Sequence, residues 1–530
     1  MSKPQIMYYH DGRHPHIYRY EPPMYKEEYI ALVDELAGTP IDAISFCLGE
    51  GRTMLHDTKA GELLGHNQKV WEHAVFRRGY QNAKYLIESG DDPLRIICER
   101  AHLFGIKLYP TLLVQRGGIE HATMRCSDFR KNNPHLEIGA AGDLDPDYPG
   151  FDGLNMKYKE SQDERFGIIE EAMTDYPADG FELHLNHMPY FFHPNEIDEG
   201  RSIMTDWIGR VHEVVKRSGK DKELAIRLPD RIEDCMNAGL DPETWVKQGI
   251  VDVLIPEMFN ENYSIKIAAD YSEYTRLVEG TECRVLGTVN SAIETDRLSD
   301  APISMVRATA MNAWDQGVDG LYVSEWFKLW PYESDFYEKL RELPYPQIMD
   351  AKDKYYFIPT TSTPHLSGAV SLSAKQTNQL PKMLELNQPV DVTMKISDDL
   401  AKWGDVERVH EVLLRLRING NLETDKIEIS LNGKLLPSTL LRKINQVYIM
   451  SAPRHRIMGG YWHIYKLDRD HWPVKGVNTI TVSLLKRDSD LRDQYCDLID
   501  VELETKYLKG KNFHRSYVDQ DLGPYEHMVT

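Results

Sequence analysis

Asp179-Gly180-Phe181-Glu182-Leu183-His184-Leu185-Asn186 alternates two kinds of side chain. In an extended strand Phe181, Leu183 and Leu185 share one face, and Glu182, His184 and Asn186 share the other. An apolar outer face suits a strand covered by helices. A polar inner face suits the wall of a closed barrel, where the polar set climbs toward the mouth.

Seven further short apolar runs lie before residue 345. They are Ile6-Met7-Tyr8-Tyr9, Ala43 to Leu48, Ile106 to Pro110, Leu224 to Leu228, Val251 to Ile255, Arg284 to Val289 and Gly320 to Val323. Helical patterns separate them. Lys26 to Leu36 places Tyr29, Ile30, Val33 and Leu36 at a 3.6-residue period. Pro93 to Phe104 follows Asp92, an N-cap with proline in the first turn. Glu164 to Met173, Met204 to Val215, Tyr271 to Val278 and Ile303 to Trp314 fill other gaps. Gly105, Gly219, Gly280 and Gly317 stand where helices stop before the next strand. Tyr8-Tyr9-His10-Asp11-Gly12 has neither a dinucleotide fingerprint nor a phosphate loop, which weakens an open doubly wound sheet. The expected fold is a (β/α)8 TIM barrel over 1–345, followed by a C-terminal antiparallel β-sandwich over 346–530. Glu411 to Ile418, Lys426 to Leu431 running into Asn432-Gly433, Gly476 to Leu484 and Cys496 to Leu503 carry the sandwich pattern. The segment 350–388 is expected to cross between the two and to supply an edge strand.

The net charge of −21 argues against nucleic acid and anionic membranes as partners. The six cysteines form no Cys-x-x-Cys pair and read as buried thiols. No apolar leader opens the chain and no run has the length of a membrane span, so a cytoplasmic protein is expected, or a periplasmic or secreted one if a leader was removed. A homo-oligomer is compatible with this composition.

Barrel enzymes carry their chemistry at the C-terminal strand ends. Three carboxylates stand there: Glu182, Glu257 after Ile255-Pro256, and Glu325 in Ser324-Glu325-Trp326-Phe327-Lys328-Leu329-Trp330. Glu182 has a second reading, as a structural partner of Arg227 across the barrel. Trp326 beside Glu325 suits stacking on a sugar ring, or alternatively packing on the sandwich. His10, Arg52, Arg116, His184, Asn186, Arg227 and Asn290 complete a rim rich in hydrogen-bonding groups, as a polyol requires. The arginines would also suit an anionic sugar. His184, His187 and His193 lack the helical spacing of a metal site, and no metal or other cofactor is expected.

Asp179 to Leu183 with its aromatic-rich following loop, Gly239-Leu240-Asp241-Pro242-Glu243-Thr244-Trp245-Val246, and Gly317-Val318-Asp319-Gly320-Leu321-Tyr322-Val323 resemble segments of glycoside hydrolase family 10-like, clan A-like barrels of polysaccharide-degrading bacteria. Pro473 to Ile480 resembles the closing strand of their appended jelly-roll domains. The resemblance implies a carbohydrate substrate and a pair of acids, with retention or inversion both open. Departures from the clan pattern are His187 after Asn186, and Asn290 at the end of the seventh strand. The expected mechanism is two-carboxylate hydrolysis, exo-acting, with Glu257 as acid/base and Glu182 or Glu325 as its partner. A sugar-acid lyase or isomerase, or a noncatalytic glycan-binding protein, are the alternatives.

Overall fold

A computed structural model describes residues 5–115, 126–257, 265–293, 300–358, 379–445, 460–490, 495–513 and 515. Its eight parallel strands are β1 (Ile6–His10), β2 (Ala43–Glu50), β3 (Lys107–Leu113), β4 (Gly180–His184), β5 (Glu223–Pro229), β6 (Val253–Glu257), β7 (Arg284–Asn290) and β8 (Gly320–Ser324). Each pairs with its sequence neighbour, and β8 pairs with β1, so the sheet closes. Tyr8, Phe46, Phe181, Leu183 and Val323 are buried under the helical layer, as strands covered on both faces require. Helices Pro93–Leu103 and Ile303–Trp314 form where the periodicity places them, and the Asp92 side chain caps the first by accepting from Leu94 N. The expected helix over 26–36 is two short helices, Lys26–Tyr29 and Ala31–Asp34. A helix not read from the sequence, Ala74–Glu88, lies between β2 and β3.

Strand register fixes which side chains point inward, because paired residues in adjacent strands share a face. Tyr9 pairs Ser45, Thr111 pairs Glu182, His184 pairs Arg227, Pro229 pairs Glu257, and Tyr322 pairs Thr288. This inward set is unusually polar for a barrel interior, where branched apolar layers are the norm. Near the bottom, the Tyr109 hydroxyl donates to Glu223 at 2.9 Å and Arg284 meets the same carboxylate at 3.0 Å. Gly180 makes room for this contact, since a Cβ there would sit 2.3 Å from the Tyr109 ring.

One seam of the barrel is open at the top. β6 and β7 pair only at Val253–Arg284 and Leu254–Val285. Above that level Pro256 offers no N–H to a ladder. The Tyr271 hydroxyl takes over, accepting from Thr288 N at 2.9 Å and lying 3.2 Å from the Thr288 hydroxyl.

After Met349 the topology becomes antiparallel. One sheet runs β9 (Lys354–Phe357), β16 (Asp497–Tyr507), β11 (Val409–Asn419), β14 (Tyr461–Lys466), β13 (Leu441–Asn445). The other runs β10 (Val390–Ile396), β15 (Gly476–Lys486), β12 (Lys426–Leu431). β9 is the edge strand expected from the crossing segment. Asn432 and Gly433 both take positive φ, 51° and 78°, as a two-residue type I′ hairpin turn demands. Lys354 and Asp398 form a fully buried ion pair at 2.7 Å, and Tyr356, Thr505 and Tyr507 donate hydroxyls to the same carboxylate. Asn312 of the helix Ile303–Trp314 donates to the carbonyl oxygens of Ile267 and, on β10, Lys395. All six cysteines are free and buried. Among the described residues no helix is long and apolar enough to cross a membrane.

Tyr271→Phe leaves the buried Thr288 N–H without its acceptor. Urea unfolding is expected to show a loss of about 1–3 kcal/mol. An unchanged midpoint and slope would mean that the hydroxyl does not hold the seam.

Candidate active site

Arg227 occupies the upper barrel interior with no exposed surface. Its Nε donates to Glu182 Oε1 at 2.9 Å, Nη2 to the Tyr322 hydroxyl at 2.7 Å, and Nη1 lies 3.4 Å from Glu257 Oε2. Tyr9 and Tyr322 place their rings 4.2 Å and 4.8 Å from the guanidinium carbon. The other oxygen of Glu182 accepts from the Tyr322 hydroxyl at 2.8 Å and from Ser45. Glu182 is therefore sealed and saturated with donors, four strands contributing to one knot. Such a carboxylate has neither an open lone pair nor access for substrate. The geometry matches its structural reading, as the partner that holds Arg227.

Glu257 is different. It closes β6 and keeps about one-twentieth of its surface exposed, at 5%. One carboxylate oxygen faces Arg227 and the other, Oε1, has no hydrogen-bond partner among the described residues. The Asn186 amide donates to the Glu257 carbonyl at 2.8 Å and fixes the strand end. Glu325 follows β8 in a left-handed conformation, φ 64°, which is uncommon for a residue with a Cβ. Its carboxylate meets Lys328 at 2.8 Å. Burial raises its pKa above the usual carboxylate value, while Lys328 draws it back down, and the net shift is upward. The charge of Arg227 also reaches Glu325, so the three carboxylates share one cation. Asp230, the first residue past β5, is pushed up to about 6 by burial and by the neighbouring Asp234 charge. Tyr271, pushed up to about 12 by its own burial, feels both Asp230 and Glu257.

The remaining rim residues divide. His184 faces inward on β4, and burial with the adjacent Arg227 holds its imidazole neutral, with a pKa well below the ordinary value. Asn186 and Asn290 are buried at the mouth, Asn290 in register with Ser324. His10 alternates to the outer face of β1, where it stacks on Phe46 and approaches Phe327. Burial lowers its pKa to about 3. It is a neutral packing residue remote from the interior, against the expectation that it binds substrate. Trp326 is also a packing residue: it is fully buried, donates to the Val289 carbonyl and stands edge-on to Phe336, so no ring face is open for a sugar. Arg52 is engaged by Glu62 at 3.0 Å. Arg116 lies outside the described residues. His193 turns to Asp143, away from the pair His184 and His187. Among the described residues, the one trio of His, Cys, Asp or Glu with ligand atoms within 4.8 Å of one another is Glu62, His66 and Asp128, where Arg52 and the Leu63 carbonyl already engage two members.

Sequence reasoning missed Tyr9, Ser45 and Tyr322. The signal was present: each lies on the inward parity of its strand, and Tyr322 sits two residues before Ser324. A tyrosine in an apolar run carries no mark of its hydrogen bonds until the facing strand is known.

No protein-family description matches this chain, and no curated protein matches it in sequence. Several solved structures are similar to it in fold. One is a cycloisomaltooligosaccharide glucanotransferase from Paenibacillus sp., complexed with cycloisomaltoheptaose, at 11% identity over 94% of this chain and 57% of that chain, TM-score 0.32. Another is α-L-fucosidase isoenzyme 2 from Paenibacillus thiaminolyticus, at 12% identity over 64% of this chain and 48% of that chain, TM-score 0.43. A third is the PgaB (BpsB) glycoside hydrolase domain from Bordetella bronchiseptica, at 11% identity over 64% of this chain and 98% of that domain, TM-score 0.41. The chain thus spans about half the length of the first two.

Two stability measurements test these roles. Glu182→Ala strands the Arg227 charge inside the barrel and is expected to cost about 3–5 kcal/mol in denaturant unfolding; a loss below 1 kcal/mol would show that Arg227 does not depend on it. Asp230 retains its proton to about pH 6 when folded, and releases it near pH 4 when unfolded. Its contribution is therefore fully present below pH 4 and lost as pH rises through 6. The stability of the native protein relative to Asp230→Asn should accordingly fall between pH 4 and pH 7, and a difference that is flat or rises would refute the assignment.

Proposed function

We propose that the protein hydrolyses glycosidic bonds, with residues 1–345 as the catalytic barrel and 346–530 as an appended sandwich. The observation that carries this reading is Glu257: a carboxylate at a strand end, oriented through one oxygen by a buried guanidinium, with its second oxygen unengaged. Glu325 is the complementary group. Burial favours its protonated form, the property required of a general acid.

In this mechanism Glu325 donates its proton to the leaving oxygen as the C–O bond breaks. Glu257, anionic beside Arg227, attacks the anomeric carbon or takes a proton from the attacking water. Tyr9 and Tyr322 pack their rings against Arg227, and Glu182 anchors it, so the cation that faces Glu257 is held in place. Preorganisation of this kind lowers the reorganisation needed as charge develops. Kinship with clan A-like barrels belongs to the same proposal and is supported by the strand-four segment Asp179 to Asn186.

Glu257→Gln should reduce kcat by at least about a thousandfold while oligosaccharide affinity stays within a few-fold. Glu325→Gln should cost roughly 10²–10⁴ in kcat and remove the alkaline limb of the pH profile, since an acid that must be protonated fails as pH rises past its pKa. Near-native turnover by Glu257→Gln, on any oligosaccharide the native enzyme cleaves, defeats the mechanism.

A further inference from the structure

The top of the barrel interior holds polar atoms that the described residues leave unsatisfied. Glu257 Oε1, Asn186 Oδ1, His184 Nδ1 and Ser324 Oγ are all buried and have no hydrogen-bond partner among the described residues. The four residues are at most 5% exposed. Buried polar groups are normally paired, so several on one ring signal a ligand that pairs them.

They belong to one place. Asn186 Nδ2 is committed to the Glu257 carbonyl, which fixes the amide so that its oxygen is the open end. Glu257 and His184 both adjoin Arg227, the first by the 3.4 Å contact and the second as its register neighbour. Ser324 lies two residues beyond Tyr322, which accepts from the same guanidinium.

The set has a chemical bias. Glu257 Oε1 and Asn186 Oδ1 can only accept; the Ser324 hydroxyl and a neutral imidazole can do either. Among the described residues, the cations closest to this set are already engaged. Arg227 is spent on Glu182, Glu257 and Tyr322 and is covered by two rings, Arg13 holds Asp11, and Lys328 is drawn to Glu325, on the side of β8 away from Glu182. A ligand entering here must bring hydroxyl donors, and a carboxylate or sulfate would meet Glu257 with no unengaged charged donor among the described residues beside it. A divalent cation is disfavoured by the guanidinium 3.4 Å from Glu257. We infer that this cluster takes an uncharged, hydroxyl-rich sugar and rejects uronic and sulfated ones, with Asn186 and Ser324 as specificity-determining residues. The inference rests on the glycosidase reading and narrows its substrate class.

Matched pairs of neutral oligosaccharides and their C6-oxidised uronic counterparts test it on the full-length native chain, by isothermal titration with product analysis. A neutral member should bind, and its uronate should bind at least roughly a hundredfold more weakly. Asn186→Ala and Ser324→Ala should each weaken neutral binding by about fivefold to a hundredfold, with unchanged circular dichroism. If Asn186→Ala does not fold, Ser324→Ala alone decides. A uronate bound as tightly as its neutral partner overturns the inference and leaves hydrolysis standing. Neutral binding without cleavage keeps the inference and removes the hydrolytic reading. No binding of either class, or native affinity in both variants, overturns the inference.

Discussion

A guanidinium with no contact to water is the constraint on which this barrel turns. Arg227 cannot remain ionised in the interior unless anions and oriented dipoles surround it. Glu182, Glu257, Tyr322 and the face of Tyr9 do so from β4, β6, β8 and β1. Half of the strands of the ring are thereby tied to one side chain. A set of interlocking apolar residues would hold the ring with less specificity, because it could slide; fixed ion-pair geometry admits one register. The lower layer repeats the device with Tyr109, Glu223 and Arg284.

The same constraint separates the acids by role. Glu182 lies at the level of the guanidinium and is fully used by it. Glu257 lies a step higher and is used by half, which leaves one buried oxygen without a partner among the described residues. Glu325 is beyond the end of its strand and is joined to Arg227 only through the field. A gradient of engagement along the barrel axis thus arranges three acids around one cation, and the proposed hydrolysis draws on that arrangement.

The open seam between β6 and β7 belongs to this arrangement. A continued ladder would bring β7 close against Pro256 and Glu257. The Tyr271 hydroxyl satisfies the freed Thr288 N–H instead, and the strand end keeps its separation. In the sandwich, Lys354 and Asp398 reproduce the logic of the barrel, with a sealed charge pair surrounded by tyrosine hydroxyls beside the strand that follows the last barrel helices.

Much of this was legible in the chain. Eight apolar runs with helical spacers, the inward parity of Glu182, His184 and Asn186, and the Asn432-Gly433 turn depend only on backbone periodicity and local sterics, which neighbouring residues express. The sequence also pointed to Glu182 and Arg227 as possible partners, since both stand mid-strand among apolar residues. What it could not separate was a strand-end histidine facing in from one facing out. His10 and Trp326 carry the residue types of a sugar site, yet the register of β1 and the turn after β8 place them against Phe46, Phe327 and Phe336. Nor could it find Tyr9, Ser45 and Tyr322, whose roles exist only once strands far apart in the chain face one another. Periodicity is a property of consecutive residues and is written in their order; the division of a shared charge among acids is a property of distances across the barrel, and only closure of the ring creates them.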